Sequence, residues 1–370
     1  MISVFGSQVG RKELDEIKTS IDNQWLGIGQ KCLKFEKLFA QRILVDDFVL
    51  VNSGSSALLL AVKLLNLPSG SEVILPSYTW VSCAHAVVLN GLKPVFCDVD
   101  LETCNVRIED IEPLVNNNTK AIMVVHYAGK PVEMESIMEI GLPVIEDAAH
   151  AVDSKIREKF CGTIGQIGIY SFDAIKNLSM GEGGGIVAQD PHLAKQARTI
   201  RYCGIAKSGF ESSTEKARWW EYDIQDIFPR IIPNDICASI GIAQIKKLDE
   251  FQLRRRQIWE RYDKELSELF WLNLPKGPGK NEQHSYFTYF IRLNNDKRDN
   301  LAHYLFSQGI YTTLRFHPLH LNKIYGAEGK LRNCEILNET ALNIPLHPNL
   351  SESDVDKVIE EIKKFGKLYC

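Results

Sequence analysis

The stretch GIYSFDAIKNLSMGEGGGIVAQD, residues 168–190, places one lysine, Lys176, between two apolar runs that are typical of β-strands. Four glycines fall within residues 181–185, where the second run begins. The apolar flanks favour partial burial of Lys176, which would lower the pKa of its amine and leave a neutral, nucleophilic fraction. Most lysines are solvated, so an ordinary surface ammonium is the alternative when this residue is taken alone.

Further apolar runs precede this stretch and alternate with helical patterns from residue 47 onward. They read DFVLV, EVILP, PVFCDV, AIMVVH and LPVIED. Near-continuous apolar strands separated by helices predict an α/β fold with a mostly parallel central sheet that is covered on both faces. Ligands of such sheets bind beyond the carboxyl ends of the strands, so the residues that follow each run are candidates for chemistry.

The sequence pattern changes near residue 245. Residues 244–269 carry apolar positions at helical spacing on a charged background, and shorter strand-like and helical segments follow. We expect a large domain over residues 1–245 and a smaller α+β domain over residues 246–370, with the first ~25 residues packing on the smaller domain. The final helix is expected to have Ser351 or Ser353 as its cap.

The composition restricts the class of partner. The 370 residues include 43 Lys and Arg against 47 Asp and Glu, a net charge of −4, so no broad cationic surface for nucleic acid is expected. The strongest hydrophobic run, SSALLLAVKLLNL, is interrupted by Lys63 and is too short to span a bilayer, and the first residues lack a signal-peptide pattern. We expect a cytoplasmic protein with a small-molecule ligand and no membrane partner.

Several common binding motifs do not occur in the sequence. Nine scattered cysteines include no CxxC pair, which favours free thiols over a disulfide framework, and no metal site is predicted. The spaced glycines of LGIGQKC and CGTIGQIG do not form a dinucleotide-binding GxGxxG, and GEGGG lacks the lysine of a Walker motif. The sequence thus argues against nicotinamide and Walker-type nucleotide sites.

Two predicted strand ends carry groups that suit a ligand. Gly54, Ser55 and Ser56 stand at a helix start, where backbone N–H groups, hydroxyls and the helix dipole form a phosphate seat, although an ordinary serine cap is the alternative. Asp147 ends the run LPVIED, where a carboxylate could hold a proton on a heteroaromatic nitrogen or merely cap a turn. His150 belongs either to the site or to the core as a satisfied histidine.

The order of these features resembles that of the fold type I pyridoxal phosphate enzymes, specifically the DegT/StrS-type sugar aminotransferases. The resemblance covers nearly the whole chain, through segments such as LPSYTWVSCAHAVVLNGLKPVFCDVD, IEDAAHA, CGTIGQIGIYSFDAIKNLSMGEGGGIV and NIPLHPNLSESDVDKVI. It implies pyridoxal 5′-phosphate and its amine form as the cofactor. It also implies a homodimer whose active sites are completed across the interface.

The resemblance assigns roles to individual residues. Lys176 matches the Schiff-base lysine that also moves a proton at the α-carbon of the amino donor. Asp147 matches the carboxylate that keeps the pyridine nitrogen protonated, and His150 matches a position close to the ring. Trp80 matches the aromatic residue that stacks on the ring, with a core tryptophan as the alternative. The implied phosphate contacts are Ser171, Gly54, Ser55 and Ser56.

Two segments depart from the pattern of this family. In FPRIIPNDICASIG, residues 228–241, Arg230 aligns with the residue that reaches the phosphate of the neighbouring subunit, while the surrounding prolines alter the loop. In RFHPLH, Arg315 stands where many relatives carry histidine and could meet a diphosphate, the carboxylate of the donor or an acidic neighbour. His320 matches a residue near the sugar-binding mouth.

The resemblance implies a pyridoxal phosphate-dependent aminotransferase that moves an amino group from L-glutamate to a nucleotide-linked keto-deoxysugar. The product would be an amino sugar for a surface polysaccharide, a lipopolysaccharide O-antigen or a glycosylated metabolite, and the stretch VHYAG favours a 4-keto over a 3-keto sugar. The alternatives are a cyclitol or aminohydroxybenzoate-type aminotransferase and a catalytically silent regulatory relative. Asp147 and Lys176 argue against silence, and Lys176 also argues against a sugar 3-dehydratase, in which histidine replaces it.

Overall fold

A computed structural model describes residues 1–206, 222–293 and 297–369. The helices of these ranges are α1 (Arg11–Asp22), α2 (Gln30–Arg42), α3 (Gly54–Leu64), α4 (Val81–Leu89), α5 (Ile108–Ile111), α6 (Met134–Met138), α7 (Pro191–Ile200), α8 (Asp235–Ile245), α9 (Leu248–Leu266), α10 (Arg298–Ser307), α11 (Arg332–Thr340) and α12 (Glu352–Tyr369). The strands are β1 (Val49–Val51), β2 (Glu72–Pro76), β3 (Lys93–Cys97), β4 (Thr119–Val125), β5 (Val144–Asp147), β6 (Lys155–Ile156), β7 (Lys159–Phe160), β8 (Ile167–Ser171), β9 (Gly184–Ala188), β10 (Leu272–Asn273), β11 (Glu282–Gln283), β12 (Tyr289–Leu293) and β13 (Ala341–Ile344).

A seven-stranded sheet with the order β1-β9-β8-β5-β4-β2-β3 forms the centre of the molecule. Strands β8, β5, β4, β2 and β3 run parallel, whereas β9 is antiparallel to both of its neighbours. Alternate strand residues point to opposite faces and are buried on both, under α3, α4 and α7 on one side and under α2, α6 and α8 on the other. The predicted α/β fold with a mostly parallel, doubly covered sheet is confirmed.

The parallel strands bring their carboxyl ends to one edge of this sheet. β5 ends at Asp147 and β8 ends at Ser171, and the two strands are direct neighbours with Asp147 paired to Ile169. Trp80 follows the end of β2 and is the residue directly before α4. The residues singled out at strand ends in the sequence therefore belong to a single edge of the sheet.

A smaller sheet, β10-β12-β13, lies after α8 and has its own hydrophobic cluster with α9, α10 and α12. The residues before α1 attach to this unit, because Ile2 pairs with Ile310 and the amide of Leu346 donates to the carbonyl of Val4 at 3.3 Å. Helix α1 instead packs on α8, where the hydroxyls of Ser20 and Ser239 lie 2.9 Å apart. The domain boundary at residues 245 and 246 stays a prediction, and it falls between α8 and α9.

The starts of two helices are defined more closely by the structure than by the sequence pattern. The amphipathic pattern over residues 244–269 corresponds to the end of α8 and to α9, which begins only at Leu248. The final helix has Ser351 as its cap, because the Ser351 hydroxyl accepts a hydrogen bond from the amide of Asp354 at 3.1 Å.

The described residues contain free thiols and no membrane-spanning helix. The eight cysteines of these ranges are free thiols, six of them buried, and Cys370 lies outside the described residues. None of the helices described is both long and apolar enough to cross a membrane.

Candidate active site

Lys176 lies in the turn that connects β8 with β9. The two strands pair in antiparallel fashion, with Ser171 opposite Gly184 at the end of the ladder. The side chain of Asn177 donates a hydrogen bond to the carbonyl of Ser285 at 2.6 Å, which ties the turn to the segment before β12. Lys176 is therefore held at the carboxyl edge of the sheet by the strand pair on one side and by this bond on the other.

Two glycines allow the chain to pack closely beneath this turn. A Cβ atom on Gly184 would lie 2.4 Å from the backbone carbon of Ser53, and a Cβ atom on Gly54 would lie 2.7 Å from the Cβ of Ser171. Larger residues at either position would push the start of α3 away from the strand ends. The glycines thus explain how the start of α3 reaches Ser171.

The start of α3 satisfies one of its own amides and leaves others for a ligand. The Ser53 hydroxyl accepts a hydrogen bond from the amide of Ser56 at 3.1 Å, so the ordinary serine cap is Ser53. Gly54 and Ser55 occupy the first turn of α3, where helix amides lack intrahelical partners and attract anions. The Ser55 hydroxyl lies 2.7 Å from that of Ser82 on α4, which adds a hydroxyl that sequence reasoning did not identify.

Asp147 is buried at the end of β5, with 4% of its surface exposed. One carboxylate oxygen accepts a hydrogen bond from the amide of Ala149 at 2.9 Å, and the other accepts one from the thiol of Cys83 at 3.3 Å. Burial raises the pKa of Asp147, and the positive charge of Lys176 opposes that rise. A cationic group beside this carboxylate would keep it ionised.

His150 lies in a column of parallel rings next to Lys176. Its imidazole stacks on Phe287 at 4.1 Å between ring centroids and on Phe316 at 5.9 Å, with interplanar angles of 17° and 15°. Burial, with the charges of Lys176 and Arg315, moves the pKa of His150 well below its usual range, so the ring is neutral. Its Nδ1 is buried without a hydrogen-bond partner among the described residues. This orphaned nitrogen argues against a satisfied core histidine.

Arg315 lies above the same group of rings. The centre of its guanidinium is 3.9 Å from the ring centroid of Phe5 and 5.6 Å from that of Phe287. Its Nε is buried and has no hydrogen-bond partner within the ranges that the structure covers. Burial lowers the pKa of Arg315 to about 10, so the side chain is still a cation near neutral pH. A half-buried guanidinium with a buried, unused donor is suited to an anionic ligand.

The Lys176 amine shares the Phe287 ring with that guanidinium. Its Nζ lies 4.9 Å from the ring centroid. Burial lowers the pKa of Lys176 to about 8, and the positive charge of Arg315 adds to this effect. A substantial neutral fraction of the amine is therefore present near pH 8, which makes Lys176 a nucleophile and a base rather than an ordinary surface ammonium.

Two other predicted site residues, Trp80 and Arg230, have exposed side chains. Trp80 is 54% exposed, with its ring 6.0 Å from that of Phe316. Arg230 is exposed and its guanidinium lies 5.7 Å from the ring centroid of Tyr202. The core-tryptophan alternative does not suit the exposure of Trp80, while the roles predicted for Trp80 and Arg230 remain predictions.

His320 is buried and engaged with protein groups. Its Nδ1 lies 2.6 Å from the hydroxyl of Ser77, which follows β2, and this contact holds the segment around residue 320 against the large sheet. Its Nε2 lies 3.5 Å from a carboxylate oxygen of Glu335 but is buried without a hydrogen-bond partner among the described residues. The predicted role of His320 near a sugar stays a prediction.

Sequence reasoning did not identify Cys83 or Phe287 as site residues. Cys83 stands one helical turn after Trp80, so the i, i+3 spacing on α4 could have placed it next to the predicted site. Phe287 lies outside the strands, in the segment that precedes β12, and comes from the part of the chain assigned to the smaller domain. No local pattern distinguishes it from other aromatic residues of HSYFTYF.

The unsatisfied groups of this site match the chemistry of a phosphorylated aldehyde that has a basic ring nitrogen. The amine of Lys176 would react with the aldehyde, and Asp147 would pair with the protonated nitrogen. The orphaned Nδ1 of His150 would gain a partner, and the start of α3 beside Ser171 would accept the phosphate. The residues present therefore fit pyridoxal phosphate.

Known proteins are similar in sequence over nearly the whole chain. Residues 7–363 match the DegT/DnrJ/EryC1/StrS aminotransferase family. A dTDP-4-dehydro-2,3,6-trideoxy-D-glucose 4-aminotransferase from Saccharopolyspora spinosa is 39% identical over 371 residues, which cover 98% of this chain and 96% of that protein.

Solved structures agree with this assignment. The aminotransferase TlmJ from Streptoalloteichus hindustanus is 39% identical, with a TM-score of 0.94 over 100% of this chain and 99% of that chain. The sugar aminotransferase CalS13 from Micromonospora echinospora is 26% identical, with a TM-score of 0.90 over 98% of this chain and 100% of that chain. The chain belongs to the DegT/DnrJ/EryC1/StrS aminotransferase family and, as its sequence predicted, is a pyridoxal phosphate-dependent aminotransferase of fold type I.

Proposed function

We propose that this enzyme transfers the amino group of L-glutamate to a nucleotide-linked keto-deoxysugar whose ketone is at carbon 4. The observation that carries the proposal is the pairing of two groups on one aromatic ring. The Lys176 amine and the Arg315 guanidinium lie 4.9 Å and 5.6 Å from the centroid of Phe287. The amine of an amino acid would take the place of the Lys176 amine, and its carboxylate is a group that a guanidinium binds, so this pair suits the amino donor.

Pyridoxal phosphate, when bound, supplies an aldehyde for the amine exchange and a protonated ring that withdraws electrons from the reacting carbon. Asp147 would maintain the ring proton, because a buried carboxylate next to the ring nitrogen would favour the protonated form. His150 is neutral, and its Nδ1 has no partner among the described residues and would be available to the cofactor. Ser171, Ser55 and Ser56 would hold the phosphate through their hydroxyls, and Gly54 and Ser55 through helix-start amides.

Lys176 acts twice in this mechanism. Its neutral amine would hold the cofactor at its aldehyde carbon with loss of water, and once the donor amine has displaced it, the same amine would take a proton from the α-carbon of the donor. The lowered pKa of Lys176, about 8, places the amine near the working pH, where a base and its conjugate acid are both available. On the return half of the reaction, the protonated amine delivers a proton at the carbon that receives the new amino group.

Arg315 binds a carboxylate of the donor in this proposal. The guanidinium is a cation, keeps an unpartnered Nε, and adds its positive charge to that of the protonated Lys176. Both charges attract a dicarboxylate such as glutamate toward the rings of the site. A diphosphate contact, the other ligand considered for Arg315, would require the nucleotide to reach the interior next to Lys176.

The assignment of the acceptor rests on similarity to one relative and on one short stretch of the sequence. The relative from Saccharopolyspora spinosa carries the name of a 4-aminotransferase for a dTDP-linked 4-dehydro sugar, and it is 39% identical to this chain. The stretch VHYAG at residues 125–129 favours the same carbonyl position. We therefore place this enzyme among those that aminate carbon 4, with the amino sugar destined for a surface polysaccharide or a glycosylated metabolite.

The central test is an absorbance spectrum of the purified protein before and after glutamate is added. The wild type should carry a chromophore that glutamate converts to the amine form. Lys176→Ala should lower turnover by about 10²-fold or more, because both the attachment and the proton transfer are lost. Lys120→Ala removes an exposed lysine near the opposite end of the parallel strands and should leave the rate unchanged. An unchanged rate in Lys176→Ala would refute the mechanism.

The identity of the acceptor is tested separately with the glutamate-loaded enzyme. Nucleotide-linked 4-keto sugars should return the spectrum to its starting form, and 3-keto sugars should do so more slowly. If only a cyclitol ketone or a ring precursor without a nucleotide reacts, the enzyme is an aminotransferase of the alternative class. If glutamate never converts the chromophore but another amino acid does, L-glutamate is the wrong donor.

A further inference from the structure

The N-terminal segment, residues 2–8, supplies a ring that packs directly on Arg315. The centroid of the Phe5 ring lies 3.9 Å from the centre of the Arg315 guanidinium, closer than Phe287 and Phe316, which are both at 5.6 Å. Phe5 also stacks on Phe287 at 5.8 Å between centroids, with an angle of 18° between the ring planes. The guanidinium is thus surrounded by three aromatic rings, and the nearest one comes from the start of the chain.

The chain is anchored by hydrogen bonds both before and after Phe5. Upstream, the amide of Ile2 donates to the carbonyl of Gly309 at 2.7 Å. Downstream, the side chain of Asn349 donates to the carbonyl of Ser7 at 2.5 Å, and the Ser7 hydroxyl donates to the carbonyl of Ala174, two residues before Lys176. The segment therefore connects the smaller sheet with the turn that carries the amine.

The backbone of Arg315 is also fixed, while its guanidinium is held by rings. The Arg315 amide donates to the side chain of Asn343 at 2.9 Å, and the hydroxyl of Tyr127 donates to the Arg315 carbonyl. A ring that packs on the face of a guanidinium attracts the charge without using its N–H groups, which lie in the plane. This arrangement restricts the orientation of the cation and leaves its donors for a ligand, in accord with the orphaned Nε.

We propose that Phe5 is a positioning residue that orients the Arg315 guanidinium to receive the carboxylate of the amino donor. This inference rests on the donor site assigned to Arg315 under the proposed function. The N-terminal segment then determines how well glutamate binds, although it does not touch the reacting atoms. A flat aromatic face is required for this role, because an aliphatic side chain of similar bulk offers no comparable attraction to a cation.

The test compares Phe5→Leu with Phe5→Tyr in the holoenzyme. Phe5→Leu should raise the KM for glutamate by roughly 3- to 30-fold, the range of a cation–π contact, with little change in kcat or in the KM for the sugar acceptor. Phe5→Tyr keeps the ring and should restore the KM of the wild type. Phe306→Leu, which removes an exposed ring on α10, is the matched control and should leave every constant unchanged.

A double-mutant cycle separates this inference from the donor site itself. Arg315→Gln should raise the KM for glutamate, and adding Phe5→Leu to that variant should have no further effect. If Arg315→Gln raises the KM for glutamate but Phe5→Leu does not, the role of Phe5 is wrong and the donor site stands. The same conclusion follows if the increases in KM caused by the two single substitutions multiply in the double variant. If Arg315→Gln leaves KM unchanged, the donor site is wrong and the role of Phe5 is refuted with it. Equal losses in Phe5→Leu and Phe5→Tyr would show that Phe5 only packs.

Discussion

Lys176 shows how the surroundings of one residue change its chemistry. The side chain is an ordinary lysine, but burial and the nearby Arg315 lower its pKa from 10.5 to about 8. In the cofactor-free protein, the protonated amine is less favourable at this position than in the unfolded chain, so it lowers the free energy of unfolding. The same feature that makes Lys176 reactive therefore reduces stability.

This conflict predicts a pH dependence of stability for the cofactor-free protein. Between pH 8 and pH 10.5 the unfolded chain binds more protons at Lys176 than the folded chain does, so the free energy of unfolding should rise with pH across this window. Methionine at this position is of similar length and carries no proton. The advantage of Lys176→Met over the wild type should be largest below pH 8 and shrink toward pH 10.5.

Urea denaturation of both cofactor-free proteins at pH 7 and pH 10 measures this difference directly. Lys120→Met, at an exposed position, controls for the general effect of replacing a lysine. Stability curves of Lys176→Met and the wild type that run parallel over the whole pH range would show that Lys176 titrates normally.

At the scale of the elements, one carboxylate joins two helices of the large domain. Asp235 is the first residue of α8, yet its side chain accepts hydrogen bonds from the amides of Gly29 and Cys32, at 2.9 Å and 3.0 Å, at the start of α2. Gly29 has no side chain to cap its own helix. Asp235 therefore caps α2 from a distance and fixes the angle between the two helices.

Removal of this cap should reduce the stability of the fold more than it affects the active site. Asp235→Ala leaves buried amides without acceptors and should lower the free energy of unfolding by about 1–3 kcal/mol. Asp235→Asn retains one acceptor oxygen and should fall between Asp235→Ala and the wild type. Chemical denaturation of the three proteins measures the series, with the exposed Asp46→Ala as control. Equal stability of Asp235→Ala and Asp46→Ala would contradict the capping role.

At the scale of the whole molecule, the predicted homodimer with shared active sites leads to a test by subunit mixing. Lys176→Ala and Arg230→Ala should each be impaired as pure proteins. If Arg230 acts on the site of the neighbouring subunit, a mixed dimer contains one site with both lesions and one intact site. A statistical mixture should then recover about a quarter of wild-type activity, because half of the dimers are mixed and half of their sites work.

The mixing experiment needs a reversible exchange of subunits, which brief treatment with mild denaturant provides. Light scattering of the wild type should give twice the mass of one chain. A mixture that stays as inactive as its components would place Arg230 within its own subunit, where its observed neighbour is Tyr202. The mass of a single chain would refute the predicted homodimer.

The features of this protein that depend on local order could be predicted from the amino-acid sequence. Near-continuous apolar runs predicted the parallel sheet, because strands covered on both faces have no solvent side and are apolar at every position. Asp147 and Lys176 could be singled out because Asp147 ends one such run and Lys176 comes five residues after the end of another, and the carboxyl edge of a parallel sheet collects residues in these places.

Contacts between residues that are distant in sequence could not be predicted in this way and are seen only in the folded chain. Phe5 and Phe287 lie 282 residues apart in sequence, yet their rings stack beside Lys176. No periodicity marks such residues, because a contact between distant segments depends on how two sheets and an N-terminal segment pack. The lowered pKa of Lys176 arises in the same way, since burial and the charge of Arg315 are properties of the folded chain rather than of the residues around position 176.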